Sequence, residues 1–296
     1  MKVVHIDYKN PSAKVDSLSL ILGYFDGVHL GHQHLIKEAR KYAKHRLAIL
    51  TFDKNIASLI NNGKNPSVLT SLDDRFKMIS KLGVDDYYLF HIDKEFLSLE
   101  ALDFIDILKK LNVKEVFVGE DYRFGKNRVG TPSLLKDFFD VRVIDLIKEN
   151  GDKISSQDIK NLIELAKLEE AKKLLGHNYQ MCGTPISGKG IGHKIGFPTI
   201  NVKLNDNYVL PRFGVYKTIA YLDGIPHISI TNVGVNPTID AGNLPSIEVH
   251  LKDYEEKEYS SIIVEFLEFV RPEQKFASLE ELKKQIASDV EKVFKN

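Results

Sequence analysis

His29 and His32 stand three residues apart in the run Gly23-Tyr24-Phe25-Asp26-Gly27-Val28-His29-Leu30-Gly31-His32. Two imidazoles at that spacing can donate hydrogen bonds to phosphate oxygens as a pentavalent transition state gains charge, and preorganised donors of this kind are often the largest catalytic term. Gly27 and Gly31 lack side chains where a nucleotide must approach the backbone, and Gly23 and Phe25 lead into the same expected nucleotide site. A second constellation lies in the other half of the chain. Gly188, Gly190 and Gly192 precede Gly196-Phe197-Pro198-Thr199-Ile200-Asn201, a spacing suited to a loop that closes over a nucleotide. Pro198 stiffens the chain, and strand alternation then sends Thr199 and Asn201 to one face. A hydroxyl and an amide oxygen are hard ligands suited to Mg²⁺ carrying ATP phosphates. Together the two motifs suggest two phosphate-transfer reactions in series.

The elements that must position these residues differ between the halves. Leu18 to Leu22 reads as a buried strand, Gly31 to Lys44 as a helix with Leu35, Ile36 and Ala39 inward, and Leu47 to Phe52 as a strand. Helices over 73–82, 101–111 and 133–139 alternate with strands over 86–90, 115–118 and 141–146. That alternation argues for a parallel α/β sheet wound on both faces, a Rossmann-like domain in which His29 and His32 open the first helix. There the free N–H groups and the dipole favour anionic oxygen. Ser155 and Ser156 cap a short helix over 157–162, and a second helix over 165–175 closes on Gly176. Beyond it come strands over 214–222, 227–233, 247–251 and 262–269, with Asp223-Gly224 as a hairpin turn. Short strands without intervening helices predict a small antiparallel β-barrel, closed by an amphipathic helix over 279–294. The expected domains are 1–176 and 177–296.

Bulk properties narrow the function class. A chain of 296 residues exceeds the usual single core. Lys+Arg and Asp+Glu are each 41, which gives no reason to expect nucleic acid or anionic membranes as partners. Cys182 is the only cysteine, so no internal disulfide or thiolate cluster forms, as befits a reducing cytoplasm. No apolar run approaches the ~18 residues that span a bilayer. The expectation is a soluble cytoplasmic protein, a monomer or weak homo-oligomer, acting on small molecules. On the residues alone, alternatives stay open. His29 and His32 can merely line a helix end, or join His34 on a metal. Thr199 and Asn201 can be surface residues at a strand entry, and Glu248 an outward strand glutamate in an ion pair.

The motifs also resemble a family. The 23–32 run is similar to the H-x-G-H nucleotidyltransferases, in particular the adenylyltransferase half of the bacterial bifunctional riboflavin kinase/FMN adenylyltransferases, or FAD synthetases. Thr51-Phe52-Asp53, Leu69-Thr70 and Gly119-Glu120-Asp121-Tyr122-Arg123-Phe124-Gly125 fit the same family. Pro198-Thr199-Ile200-Asn201 resembles its P-T-A-N signature, followed in order by Gly214-Val215-Tyr216, Asn232 to Thr238, Ile247-Glu248-Val249-His250-Leu251 and Arg271 to Phe276. The resemblance covers essentially the whole chain. It implies a kinase that uses ATP and Mg²⁺ to turn riboflavin into FMN, with Glu248 as general base and Thr199 and Asn201 holding metal and phosphates. It implies an adenylyltransferase that turns FMN into FAD, with His29 and His32 stabilising charge. Asp121, Tyr122, Arg123, Phe124 and Arg271 would lie at flavin, and Ser155, Ser156 and Lys160 near the leaving pyrophosphate. Lys54-Asn55-Ile56 departs from the family's Pro-His-Pro-like stretch. Lys160 replaces an arginine fork with a point charge and Asp158 adds a negative charge. Ile191 stands where the family carries a basic residue. These departures keep two rivals in view: a riboflavin kinase with a weakened or lost transferase, and a non-catalytic flavin sensor. A cytidylyl- or pantetheine-type transferase is a third, against which the second motif set argues.

Overall fold

The computed structural model describes residues 1–60, 66–145, 147–149, 152–186, 196–235, 245–252 and 257–294. By contact the chain forms two compact units: Met1–Ser67 with Leu72–Ser155, and Val68–Ser71 with Ser156–Asn296. The two helices before Gly176, expected to end the first domain, thus group with the second unit.

The first unit contains strands β1 (Lys2–Ile6) and β2 (Leu18–Leu22), helix α1 (Leu30–Tyr42), β3 (Arg46–Phe52), α2 (Ile56–Ile60) and α3 (Leu72–Ser80). It continues through β4 (Asp86–Phe90), α4 (Ala101–Lys110), β5 (Val113–Gly119), α5 (Pro132–Lys136) and β6 (Asp140–Ile144), and ends in a two-residue pair, β7 (Lys148–Glu149) and β8 (Asp152–Lys153). Six strands form a sheet in the order β1-β4-β3-β2-β5-β6. Every pairing in that sheet is parallel. Both faces are covered, which is why β2 and β4 are buried at every position. Leu18, Leu20 and Leu22 pack with Phe104 and Ile105 of α4, while Ile21, Ile49 and Phe117 pack with Ile36 and Ala39 of α1 and Ile79 of α3.

The second unit starts with α6 (Ser156–Glu164) and α7 (Leu168–Leu175), which stops at Gly176 in the left-handed conformation (φ 78°). The strands β9 (Gln180–Ile186), β10 (Ile200–Leu204), β11 (Gly214–Leu222), β12 (Ile225–Val235), β13 (Pro245–Leu251) and β14 (Ile262–Pro272) follow, then helix α8 (Leu279–Phe294). The strands close into an antiparallel barrel in the order β10-β13-β12-β11-β14-β9. The β11–β12 hairpin turns on Asp223 and Gly224 at φ 46° and 87°, the positive angles a two-residue hairpin needs. The segment 68–71 joins this unit by pairing Val68 with the chain near Tyr208: Val68 N–H donates to Asn207 O and Val209 N–H to Val68 O, each at 2.9 Å.

Candidate active sites

In the parallel sheet the chain lays β3 and β4 on one side of β2, then crosses to place β5 and β6 on the other. The order reverses between β2 and β5, and the crevice outside the carboxyl ends of two such strands is where open α/β sheets take ligands. The loop leaving β2 is the 23–29 turn, and the loop leaving β5 is the 119–125 segment, so the fold brings the two N-terminal motifs to one switch point.

The turn after β2 is held in an uncommon shape. Phe25 lies at φ 60° and Val28 at φ 41°; a β-branched residue there is an outlier, and such positions cost on the order of 1–3 kcal/mol each. Phe25 is buried in the core, its ring 5.1 Å from that of His32. His29 is the N-cap of α1, its Nδ1 accepting the His32 N–H at 3.4 Å. An accepting Nδ1 puts the proton of a neutral His29 on Nε2, so the ring keeps one donor. The His29 and His32 rings stack with centroids 3.6 Å apart and planes 21° from parallel. Burial pushes His29 down to about 4, with Asp26 and Asp121 pulling the other way. Burial also holds His32 well below the usual histidine range, helped by His29 and Arg75. Both are therefore neutral imidazoles at pH 7. A Cβ on Gly31 would lie 3.2 Å from the His29 ring, so the glycine lets that ring sit over the helix start. Stacked rings cannot aim their lone pairs at one ion, and no group of three His, Cys, Asp or Glu suited to a metal occurs among the described residues.

In the loop after β5, Asp121 pairs with Lys153 at 2.7 Å. Arg123 folds back, its Nη1 donating to the carbonyls of Tyr122 (2.8 Å) and Glu120 (3.3 Å). Tyr122 stacks on Phe124 at 5.9 Å, and burial pushes its phenol up. Phe124 itself belongs to the core cluster with Phe104. Gly125, at φ 70°, passes so close to α4 that a Cβ would lie 2.8 Å from the Ala101 backbone. Asp53 accepts from Ile92 N–H at 3.0 Å and faces His91 Nδ1 at 3.2 Å. Ser155 ends the first unit, and Ser156 and Lys160 lie on α6 in the second.

The second motif set gathers on the outside of the barrel. Ile200, Ile247 and Val249 are buried inside it, so alternation turns Thr199, Asn201 and Glu248 outward. Cross-strand partners run Asn201, Glu248, Asn232, Val215, Arg271 in one lateral row over five strands. Helix α8 covers part of this face, and between them lies a pocket of about 400 Å³ lined by Thr199, Asn232, Glu248, His250, Arg271 and Ile286, among others. Glu248 Oε1 accepts from Ser246 Oγ at 3.1 Å. His250 Nδ1–H donates to the Pro198 carbonyl at 2.8 Å, with Phe197 and Phe294 against its ring. Arg271 gives Nε and Nη2 to Asp289 of α8 (2.8–3.1 Å) and Nη1 to Pro272 O. Gln285 donates to the same carboxylate at 3.0 Å. The expected flavin contact Arg271 thus lines the pocket while strapping the helix that roofs it. Thr199 in the pocket and Asn201 beside Glu248 are neutral oxygen donors next to a carboxylate, a set that fits Mg²⁺ whose charge is met by phosphates. Gly196 lies at φ 85°. Gly188, Gly190 and Gly192 lie outside the described residues.

Known families partition the chain in the same order. The FAD synthetase family matches residues 12–158 and the riboflavin kinase family residues 175–296. A bifunctional riboflavin kinase/FMN adenylyltransferase from Listeria monocytogenes is 37% identical over 91% of this chain and 89% of its own. One from Bacillus subtilis is 35% identical over 98% of this chain and 96% of its own. This chain belongs to the bifunctional riboflavin kinase/FMN adenylyltransferase family. A crystal structure described as a macrolide-efflux protein from Streptococcus pneumoniae shares the fold, with TM-score 0.87 and 29% identity over 99% of each chain. No helix among the described residues is long and apolar enough to cross a membrane.

Two residues of this family member escape sequence reasoning. His250 enters the sequence reading only as a member of the 247–251 run, without a role of its own, yet it lines the pocket and holds the Pro198 carbonyl. Arg75 carries no motif signal, yet it is buried beside the 23–32 turn, its Nη1 on the Tyr24 carbonyl. Only a polar residue on the inner face of α3 hints at it.

Proposed function

We propose that the chain carries two successive activities: it phosphorylates riboflavin to FMN with ATP, and it adenylylates FMN to FAD with release of pyrophosphate. For the first, Glu248 takes the proton of the ribityl 5′-hydroxyl as that oxygen attacks the γ-phosphorus and ADP leaves. Thr199 and Asn201 would hold Mg²⁺, which neutralises charge on the phosphates. His250 keeps the Pro198 carbonyl, and so the strand entry that carries Thr199, in place. Arg271 and α8 shape the pocket wall and keep water out.

For the second, an FMN phosphate oxygen attacks the α-phosphorus of ATP and the bond to pyrophosphate breaks. His29 Nε2–H and the His32 imidazole stabilise the charge that grows on the equatorial oxygens. Asp121, Tyr122 and the backbone of the 119–125 loop line the flavin side of the switch point. The enzyme works on small molecules in the cytoplasm, where the buried free thiol of Cys182 is at home, as a monomer or weak homo-oligomer.

The observation that carries this reading is the row from Asn201 through Glu248 to Arg271 opening into a pocket with Thr199. A time course with riboflavin and excess Mg-ATP, and a second started from FMN, tests it. FMN that rises and gives way to FAD supports both activities. FMN alone in the first tube and no FAD in the second restricts the reading to the kinase, and no product in either leaves a flavin-binding protein without turnover.

A further inference from the structure

Arg75 is 2% exposed. Its Nη1 donates to the Tyr24 carbonyl at 2.7 Å, and its guanidinium lies 4.3 Å from the centroid of the Tyr24 ring. Thr51 Oγ1 donates to the same carbonyl at 3.2 Å. A trans peptide points its N–H opposite to its C=O, so this double anchor fixes the peptide plane where the chain enters the left-handed conformation at Phe25. The Phe25 ring in turn contacts His32. Arg75 Nε and His32 Nδ1 are both buried without a hydrogen-bond partner among the described residues. Buried polar atoms left so are uncommon and destabilising, and of the four such atoms among the described residues two belong to His32 and to the arginine that anchors its turn.

We propose that Arg75 is a positioning residue for adenylyl transfer, acting through the Tyr24 carbonyl and through His32. This rests on the reading of the 23–32 turn given above. A guanidinium keeps its charge at every working pH, and it adds to burial and to His29 in disfavouring an imidazolium at His32. The charged and titratable groups facing His32 are His29 and Arg75; Asp26 and Asp121 act on His29, and Tyr24 and Tyr87 flank Arg75.

The test compares Arg75→Met and Arg75→Lys in an FMN-started assay, with the melting curve of each preparation as the check on folding of the first unit. In Arg75→Met, kcat for FAD falls about ten-fold or more while KM for ATP changes less. The acid limb of its pH profile moves to higher pH, because His32 without the neighbouring charge holds its proton longer. Arg75→Lys restores the acid limb but not kcat, since an ammonium keeps the charge and loses the guanidinium plane that lies against the Tyr24 ring. An Arg75→Met enzyme with parental kcat and acid limb overturns the proposal. Should that variant fail to fold, Arg75→Lys decides: a lowered kcat for FAD with a parental acid limb supports the proposal, and a parental kcat overturns it. A parent that makes no FAD sinks the adenylyltransferase reading itself; a parent that makes FAD beside an unaffected variant sinks this inference alone.

Discussion

Replacing Glu248 by glutamine keeps the shape of the side chain and removes the base. Glu248→Gln is expected to lower kcat for FMN formation on the order of 10²–10⁴-fold, the usual contribution of a general base, while FAD formation from supplied FMN is unchanged. His29→Asn should do the reverse: FAD formation falls on the order of 10²–10³-fold, the loss expected for one preorganised donor, and FMN formation stays. Asparagine is also a good N-cap, so α1 keeps its start. The same substitution reads out the buried proton balance. His29 goes from 6.5 in the unfolded chain to about 4 when folded. Between those values the unfolded form binds the proton and the folded form does not. Stability is therefore full above pH 6.5 and declines as pH falls towards 4, by about 3 kcal/mol for such a shift. Denaturation of parent and His29→Asn at pH 7 and near pH 4.5 measures it, and a parent that loses no more stability than the variant contradicts it. His29 and His32 were legible as candidates from their type and spacing, and Thr199 and Glu248 only through the family resemblance. Arg75 and His250 were not, because their chemistry lies in carbonyls they reach across the fold.

At the scale of elements, the partly buried ion pair of Arg271 with Asp289 ties α8 to the barrel. Arg271 and Asp289 side chains are 15% and 6% exposed. Asp289→Asn leaves the guanidinium without its charge partner, a change that costs about 3–5 kcal/mol when a buried pair is broken. The second unit should melt earlier, and KM for riboflavin should rise because the pocket wall loosens; an unchanged KM would show that α8 is held by its apolar face alone. The helix itself was readable end to end, since Leu282, Ile286, Val290 and Val293 keep helical register, and so were β2, β4 and β11. Other elements were hidden for identifiable reasons. β9 contains Gly183 and Pro185, both strand breakers by type; yet a Cβ at 183 would lie 2.5 Å from the Lys203 carbonyl, so the barrel requires the glycine there. β1 is an edge strand exposed at Lys2 and His5, without the apolar alternation that announces a strand. The change of unit at Ser155/Ser156 was hidden because α6 and α7, which follow it, carry the same helical periodicity as the helices of the first unit.

At the scale of the molecule, the two activities are read from separate units and should answer to separate substitutions, which makes each the internal standard for the other. The units are not separate as stretches of sequence. The chain leaves the first unit at 67/68, returns at 71/72 and leaves again at 155/156. A fragment beginning at Ser156 lacks the pairing of Val68 with the chain near Tyr208, and is expected to unfold at lower denaturant than the same fragment supplied with a peptide covering 66–72. Equal midpoints with and without the peptide would show the pairing to be dispensable. For a gene of this kind, fission is then harder than fusion: no single break in the reading frame yields two complete folding units. Four residues of the second unit, set in sequence between two stretches of the first, make the union of the two difficult to undo.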